Sequence, residues 1–298
     1  MLARRHNPNI SLQPTLDSRG PRTYSQRKQD VARSRRYGIS RCAVGRTTRM
    51  QGLSRLARTV CPEAAAGGFS RRDNTLAFYL RVTALIEPTS VVLDLGAGRG
   101  AQFDRQDFRS RFIRFQGRVG RLVGVDVDPV VLTNPALDEA HVIAPDKPLP
   151  FPDATFDLIY SDWVLEHIEK PDVFAGEVER VLKPGGWFCA RTPNRWGYIA
   201  LSARLVPEGL QSRILKFTQP ARKDEDVFPK FYRLNTMEAV RRHFPDDRFD
   251  NASYTLECDP SYHGGRLWLY RLIDLYQSLP SRVFDTVLFV FLKKKGDA

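Results

Sequence analysis

The chain has 298 residues and 42% hydrophobic content, enough for one large domain or two smaller ones with a sizeable core. Its net charge of +12 belongs to residues 1–60, which hold 14 of the 46 Lys and Arg and only two acids, Asp17 and Asp30, so residues 61–298 are electrically balanced. That balance excludes a nucleic-acid-binding signature in the folded part; four dispersed cysteines exclude a disulfide framework or metal-ligand spacing, and no apolar run reaches the ~20 residues of a membrane span.

Residues 1–60 are rich in Arg, Ser, Thr and Gln and have no sustained apolar period, which predicts a disordered leader. An arm for nucleic acid or an anionic membrane, an organelle transit peptide and an inert extension all fit that composition. The inert extension is the simplest, with Met50 as the alternative start. Free thiols and the lack of a signal-peptide core point to a cytoplasmic location and leave peripheral membrane association open.

Asp73 to Ile86 reads as a helix, with Phe78, Tyr79, Val82, Leu85 and Ile86 on one face, Leu76 and Leu80 widening it, and Pro88 ending it. Val91 to Leu95 is a buried strand that runs into a turn at Gly96, Gly98 and Gly100, where a chain without Cβ can approach a ligand closely. Asp94 stands at the carboxyl end of that strand, the edge at which open α/β sheets bind ligands. Seven arginines and four phenylalanines follow between Arg99 and Arg121, with a short helix expected over 107–116.

Further strands are expected at 122–128, 139–143, 157–161 and 187–192, with a proline-rich loop at 146–156 and a helix at 173–182. Pro184-Gly185-Gly186 reads as a hard stop before the fifth strand. The spacing is that of βαβ units. Residues 193–234 break the rhythm with two short amphipathic helices and a charged aromatic loop. A helix over 235–244 capped by Asn235, a strand at 252–257, a helix at 263–279 and a strong last strand at 285–294 complete the chain.

Five motifs occur in order: D-L-G-A-G-R-G at 94–100, V-G-V-D at 123–126, L-P-F-P-D-A-T-F-D at 149–157, V-L-E-H-I-E-K-P at 164–171 and R-V-L-K-P-G-G at 180–186. In that combination the chain resembles the class I S-adenosylmethionine-dependent methyltransferases, most of all the core called methyltransferase type 11, over about residues 74–195. The resemblance implies a Rossmann-like, doubly wound α/β sheet of about seven strands. It is mainly parallel, with an antiparallel terminal strand inserted between its neighbours. The domain would be 61–298, with helical lid insertions at about 195–234 and 260–282, whose apolar stripes could instead serve dimerisation or a membrane surface.

S-adenosylmethionine is the implied cofactor and S-adenosylhomocysteine the product. Asp94, Gly96, Ala97, Gly98 and Gly100 would surround the methionine part. Asp126 and Val127 would face the ribose, where a carboxylate can accept from both hydroxyls. Asp146 would reach the adenine amino group, although the family's acid stands about one residue further from the L-P-F segment. Ser161, Asp162 and Trp163 would form the mouth. Asp126 as a strand-end acid, Asp128 as a turn residue before Pro129 and Trp163 as core packing are the structural alternatives.

His167, with Glu166 beside it, is the candidate general base; a capping or packing histidine is its alternative. Asn194, Tyr198 and Tyr232 fall on the substrate side by position, with Asp226 and Arg233 as further polar candidates. The reaction would be an in-line displacement by an O, N or C nucleophile of a small-molecule or lipid-linked acceptor, with no metal. A cofactor-binding protein without catalysis is the alternative from another class. A nicotinamide-dependent enzyme is a further rival, because Ala101 satisfies the looser dinucleotide pattern.

Overall fold

A computed structural model describes residues 59–298 apart from 104–106, 146, 206–227, 262, 279–280 and 297–298. The leader, Cys42, Met50, Asp146, Asp226 and most of the first insertion lie outside the described residues.

The strands are Val91–Leu95 (β1), Arg121–Asp126 (β2), Glu139–Val142 (β3), Phe156–Asp162 (β4), Leu182–Pro193 (β5), Phe249–Asn251 (β6), Tyr254–Leu256 (β7) and Val287–Lys294 (β8). The α-helices are Asn74–Leu85 (α1), Phe108–Ile113 (α2), Pro171–Val181 (α3), Tyr198–Leu205 (α4), Met237–His243 (α5) and Leu267–Gln277 (α6). The strands form one sheet in the order β3-β2-β1-β4-β5-β8-β6, with β7 also on β8. β1 to β5 pair in parallel, and β8 runs antiparallel between β5 and β6.

Eight strands replace the expected seven because one strand is interrupted. β6 and β7 meet β8 in the same register, Asn251 opposite Leu292 and Tyr254 opposite Phe289. Between them the Ser253 hydroxyl accepts from the Phe291 amide, a place the backbone carbonyl would otherwise take. The fifth strand also begins earlier than expected. Pro184-Gly185-Gly186 is an irregularity inside β5, where the register to β4 shifts between Phe156 and Leu158, and does not stop the chain.

Both faces of the sheet are apolar, which is why the strands read as continuous runs. Leu93, Val123, Ile159 and Phe188 pack on one side, with α3 and α5. Val92, Leu122, Leu158 and Tyr160 pack on the other with α1, following the period of two. α1 starts where Asp73 accepts from the Leu76 amide, a cap worth roughly 1 kcal/mol. It buries Phe78 against Phe289 and Phe291 of β8; full burial of such a side chain contributes about 1.5–3 kcal/mol. Leu80, expected to widen the buried face, is 59% exposed instead.

Asn235 is not the cap of α5. Thr236 caps it by accepting from the Ala239 amide. Asn235 is fully buried and donates to Thr192 Oγ1 and the Pro193 carbonyl, a tie from the insertion back to β5. Among the described residues no helix is long and apolar enough to cross a membrane.

Candidate active site

The order of strands reverses between β1 and β4, and at such a point the chain leaves the sheet in opposite directions and opens a crevice. The glycine turn forms one side. Its first amides, Gly96 and Ala97, both donate to the Val125 carbonyl. Gly96 stands at φ +87, and a Cβ there would lie 2.2 Å from Val164 Cγ2, so the turn packs without a side chain against the segment after β4. Gly98, at φ +52, is bare for a different reason. A Cβ there would meet nothing nearer than Asp126 Oδ2 at 4.0 Å, so its backbone face is left open.

Asp126 closes this corner. Its Oδ2 accepts from the Gly98 amide at 2.8 Å and its Oδ1 from the Asp128 amide at 2.9 Å. A carboxylate has about four lone-pair sites, so each oxygen keeps capacity for a ligand hydroxyl. Asp128 is the turn residue: its side chain accepts from the Val130 amide. Asn134, which the sequence did not bring forward, donates to the Ala97 and Gly98 carbonyls and packs on Gly100, latching the turn from below.

Asp94 lies beneath the turn and does not line the cavity. Its Oδ2 accepts from Tyr160 Oη at 2.7 Å, across the β1–β4 pair. Burial pushes its carboxyl up to about 7; the Tyr160 bond opposes this, and the charges of Asp162 and Asp126 add to it. Ser161 is also redirected. It is fully buried and donates to the Leu95 carbonyl, holding β4 to β1, and does not line the cavity.

Asp162 reaches the cavity wall but is committed to an ion pair. Arg191 Nε donates to its Oδ1 at 2.7 Å, and Nη2 to its Oδ2 at 2.6 Å, while Tyr79 Oη adds 3.2 Å. Arg191 is buried, also donates to Asn74 and Thr75 at the start of α1, and lies over the Trp163 ring. Trp163 follows with φ +61, a conformation that costs a non-glycine residue of order 1–3 kcal/mol, and its side chain lines the cavity.

Glu166 and His167 form the opposite wall. Glu166 is buried, and burial raises its carboxyl above the usual range. Its Oε2 accepts from Thr192 Oγ1 at 2.9 Å, and its carbonyl accepts from the Phe231 and Tyr232 amides. His167 Nδ1 lies 2.6 Å from the Pro229 carbonyl. A carbonyl can only accept, so Nδ1 carries the hydrogen, and in the neutral ring Nε2 holds the lone pair. Nε2 stands 4.0 Å from Glu166 Oε1. Phe228 packs edge-on against the ring, and Tyr232 holds the segment in place at φ +53.

The two walls enclose a cavity of about 730 Å³. It brings together Gly96, Gly98, Asp126, Val127, Asp162, Trp163, Glu166, His167 and Tyr232 from the sequence-derived set. Ala97 and Gly100 shape the turn without lining it. Asn194 and Tyr198 stand elsewhere. Asn194 donates to the Val283 and Asp285 carbonyls just after the second insertion, and Tyr198 bonds the Ser261 hydroxyl inside it, and neither lines the cavity. Ile199 and Pro193 line the cavity from that stretch.

A doubly wound sheet with a glycine turn and a strand-end carboxylate at its switch point is a nucleotide-cofactor domain. Comparison with known proteins refines that class. Residues 93–190 match the methyltransferase domain family. The ubiquinone/menaquinone biosynthesis C-methyltransferase UbiE of Hydrogenovibrio crunogenus is 34% identical over 110 residues, which cover 34% of this chain and 41% of that one. An uncharacterized methyltransferase of Schizosaccharomyces pombe is 37% identical over 71 residues, 24% of each chain. An S-adenosylmethionine dependent methyltransferase from Mesorhizobium loti superposes with a TM-score of 0.45 at 17% identity, over 74% of this chain and 98% of that one. The chain spans less than half the length of the curated relatives it matches here. Over this segment the chain is similar to class I S-adenosylmethionine-dependent methyltransferases.

Proposed function

We propose that the protein transfers a methyl group from S-adenosylmethionine to an O, N or C nucleophile of a largely apolar acceptor by in-line displacement. One observation carries this reading: the open Gly98 backbone and the Asp126 carboxylate share a cavity with a tautomer-fixed His167. The residues fit the cofactor. Gly98 lets a ligand lie against the turn, Asp126 has lone pairs for both ribose hydroxyls, and Trp163 supplies an aromatic wall. When bound, the cofactor supplies a methyl group already activated on a sulfonium.

The chain's own task is alignment and dryness. Holding the two reactants in register can supply roughly 7–11 kcal/mol of the barrier, and the apolar walls Val164, Ile168, Ile199 and Phe231 keep water out. His167 Nε2 accepts the acceptor's proton where one must leave. Glu166, turned toward the ring, stabilises the charged imidazole that results. Asn235 and the Phe231–Tyr232 amides hold Glu166 and Pro229 in place and act as positioning groups.

The UbiE relatives are named as C-methyltransferases of quinone biosynthesis, which favours carbon as the acceptor atom and an ionisable ring as its carrier. The family match ends at residue 190, before Pro193, Ile199 and the 228–232 segment, so the acceptor is read from those apolar and aromatic walls alone. We read residues 61–298 as the catalytic domain, with lids at 195–234 and 260–282, and a chain starting at Met50 is expected to bind cofactor like the full one.

The test is calorimetric titration with S-adenosylhomocysteine, NAD and an Asp126→Ala variant, followed by methyl transfer to a pool of apolar acceptors. Micromolar product binding, lost in the variant and absent for NAD, is expected. Binding without transfer to any acceptor would favour a non-catalytic cofactor-binding protein.

A further inference from the structure

Helix α6 carries its apolar side outward. Trp268 is 64% exposed, Leu272 57% and Leu275 69%. At 3.6 residues per turn these three fall within about 60° of one another. The opposite side is occupied: Tyr270 is buried with its Oη accepting from Arg72, Ile273 is half-buried, and Gln277 donates to Thr286 Oγ1 and the Cys258 carbonyl. The helix is therefore anchored to the domain by one side and presents a second, apolar ridge to the outside.

The ridge continues toward the cavity. Tyr276 Oη donates to the Trp196 carbonyl, and its ring meets Phe284. This brings Trp196, 43% exposed, and Val283, 55% exposed, to the end of α6. In the chain Trp196 stands between Pro193 and Ile199, two walls of the acceptor side. The exposed ionised groups along the face are Arg271 and Arg282. The acids nearby are turned away: Asp274 pairs with Arg72, and Asp285 accepts from Thr255.

We infer that this face seats α6 in the surface of an anionic membrane, with the acceptor mouth against the bilayer. The acceptor would then be a lipid-resident molecule, and that clause rests on the methyl transfer proposed above. A tryptophan–leucine ridge flanked by arginines is the chemistry of an interfacial helix: indole at headgroup depth, leucines at the acyl boundary, guanidinium groups on phosphates. A second copy of the chain is a poorer occupant. From Trp268 to Leu275 the ridge is about 10 Å long, so it covers only part of the roughly 800 Å² per partner of a stable dimer.

The full chain is tested by sedimentation with phosphatidylcholine vesicles containing about 30% phosphatidylglycerol. Salt of about 0.5 M screens attraction by the basic leader. Binding is expected to weaken there, as the attraction of Arg271 and Arg282 is screened too, but to persist through the ridge, and to fall at least tenfold further in Leu272→Ser/Leu275→Ser, which loses the apolar contact. Acyl-brominated lipids are expected to quench the indole fluorescence, and Trp268→Phe to reduce that quenching while still binding, with Trp196 accounting for what is left. Equal binding by the double-serine variant would overturn the inference and assign membrane contact elsewhere. A dimer that this variant dissociates, with no vesicle binding, would assign the face to a second copy. S-adenosylhomocysteine titration of the same samples separates the two proposals. Normal cofactor binding without vesicle binding removes only the membrane face, whereas absent cofactor binding removes the methyl-transfer reading whatever the vesicles do.

Discussion

The two walls of the cavity are held by opposite means. On the cofactor side a side chain fixes the backbone: both Asp126 oxygens accept amides from turns on neighbouring strands, β1 and β2. On the acceptor side the backbone fixes the side chains. The Glu166 carbonyl takes two amides, and the Pro229 carbonyl orients His167, with both contacts coming from a distant part of the chain. The first wall is a property of one βαβ unit, and the second exists only when an insertion folds back onto it. A cofactor wall of this kind can be kept while the acceptor wall is rebuilt, which is how one fold serves many acceptors.

The largest effect is expected between the two walls, at the Arg191–Asp162 pair. Arg191→Met leaves the Asp162 carboxylate without its bidentate partner and frees the start of α1, and breaking a buried pair in this way costs about 3–5 kcal/mol. A fall in denaturation midpoint larger than that of any wall substitution is expected. Adding Asp162→Asn should recover part of it, because the uncompensated charge is then gone. An unchanged midpoint would mean that this pair adds nothing to stability.

Next comes the cofactor wall alone. Asp126→Ala removes two acceptors for ligand hydroxyls, each bond to a charged group being worth roughly 1.5–3 kcal/mol. S-adenosylhomocysteine affinity should fall a hundredfold or more by calorimetry. A loss of less than about fivefold would make Asp126 a turn residue and nothing more.

The same contrast explains what the sequence could reveal. The glycine turn, Asp126 and the strand order were legible because each rests on neighbours close in chain or on adjacent strands, and buried strands announce themselves as apolar runs. Arg191 left a signal that could have been used: a lone charge in an apolar strand must be paired. Tyr160 left one too, since it stands opposite Asp94 in register. The errors fall where a side chain's partner is remote. Asn194 and Tyr198 sit at the expected end of β5, yet their bonds go to residues 283–285 and 261, and no local pattern encodes that choice. Asn235 looked like a cap, but Thr236 has the same chemistry one residue later, and only packing on Thr192 decides between them.

The acceptor wall is sharpened by His167→Gln. If Nε2 takes a proton, kcat should fall by about 10², the low end for general-base catalysis. Cofactor affinity should stay within twofold. A proportionate loss of cofactor binding would instead show that the ring only packs against Phe228 and Pro229 and that the two walls are one.

The smallest effect lies under the cofactor wall. The Asp94 carboxyl is raised from an ordinary 3.8 to about 7 in the folded chain, chiefly by burial. Between those values the folded protein holds a proton that the unfolded chain has released. The resulting stability is fully present below about pH 3.8, declines through the interval and is gone above about pH 7, with a slope of about 1 kcal/mol per pH unit. Asp94→Asn keeps the shape and a partner for Tyr160 but cannot titrate. The stability of the natural protein minus that of the variant should therefore fall by about 1 kcal/mol between pH 5 and pH 6, read from paired denaturant curves. Parallel pH dependences would mean that Asp94 stays charged beneath the turn. The negative charge under the glycine amides would then be permanent, and the cofactor wall would rest on two carboxylates instead of Asp126 alone.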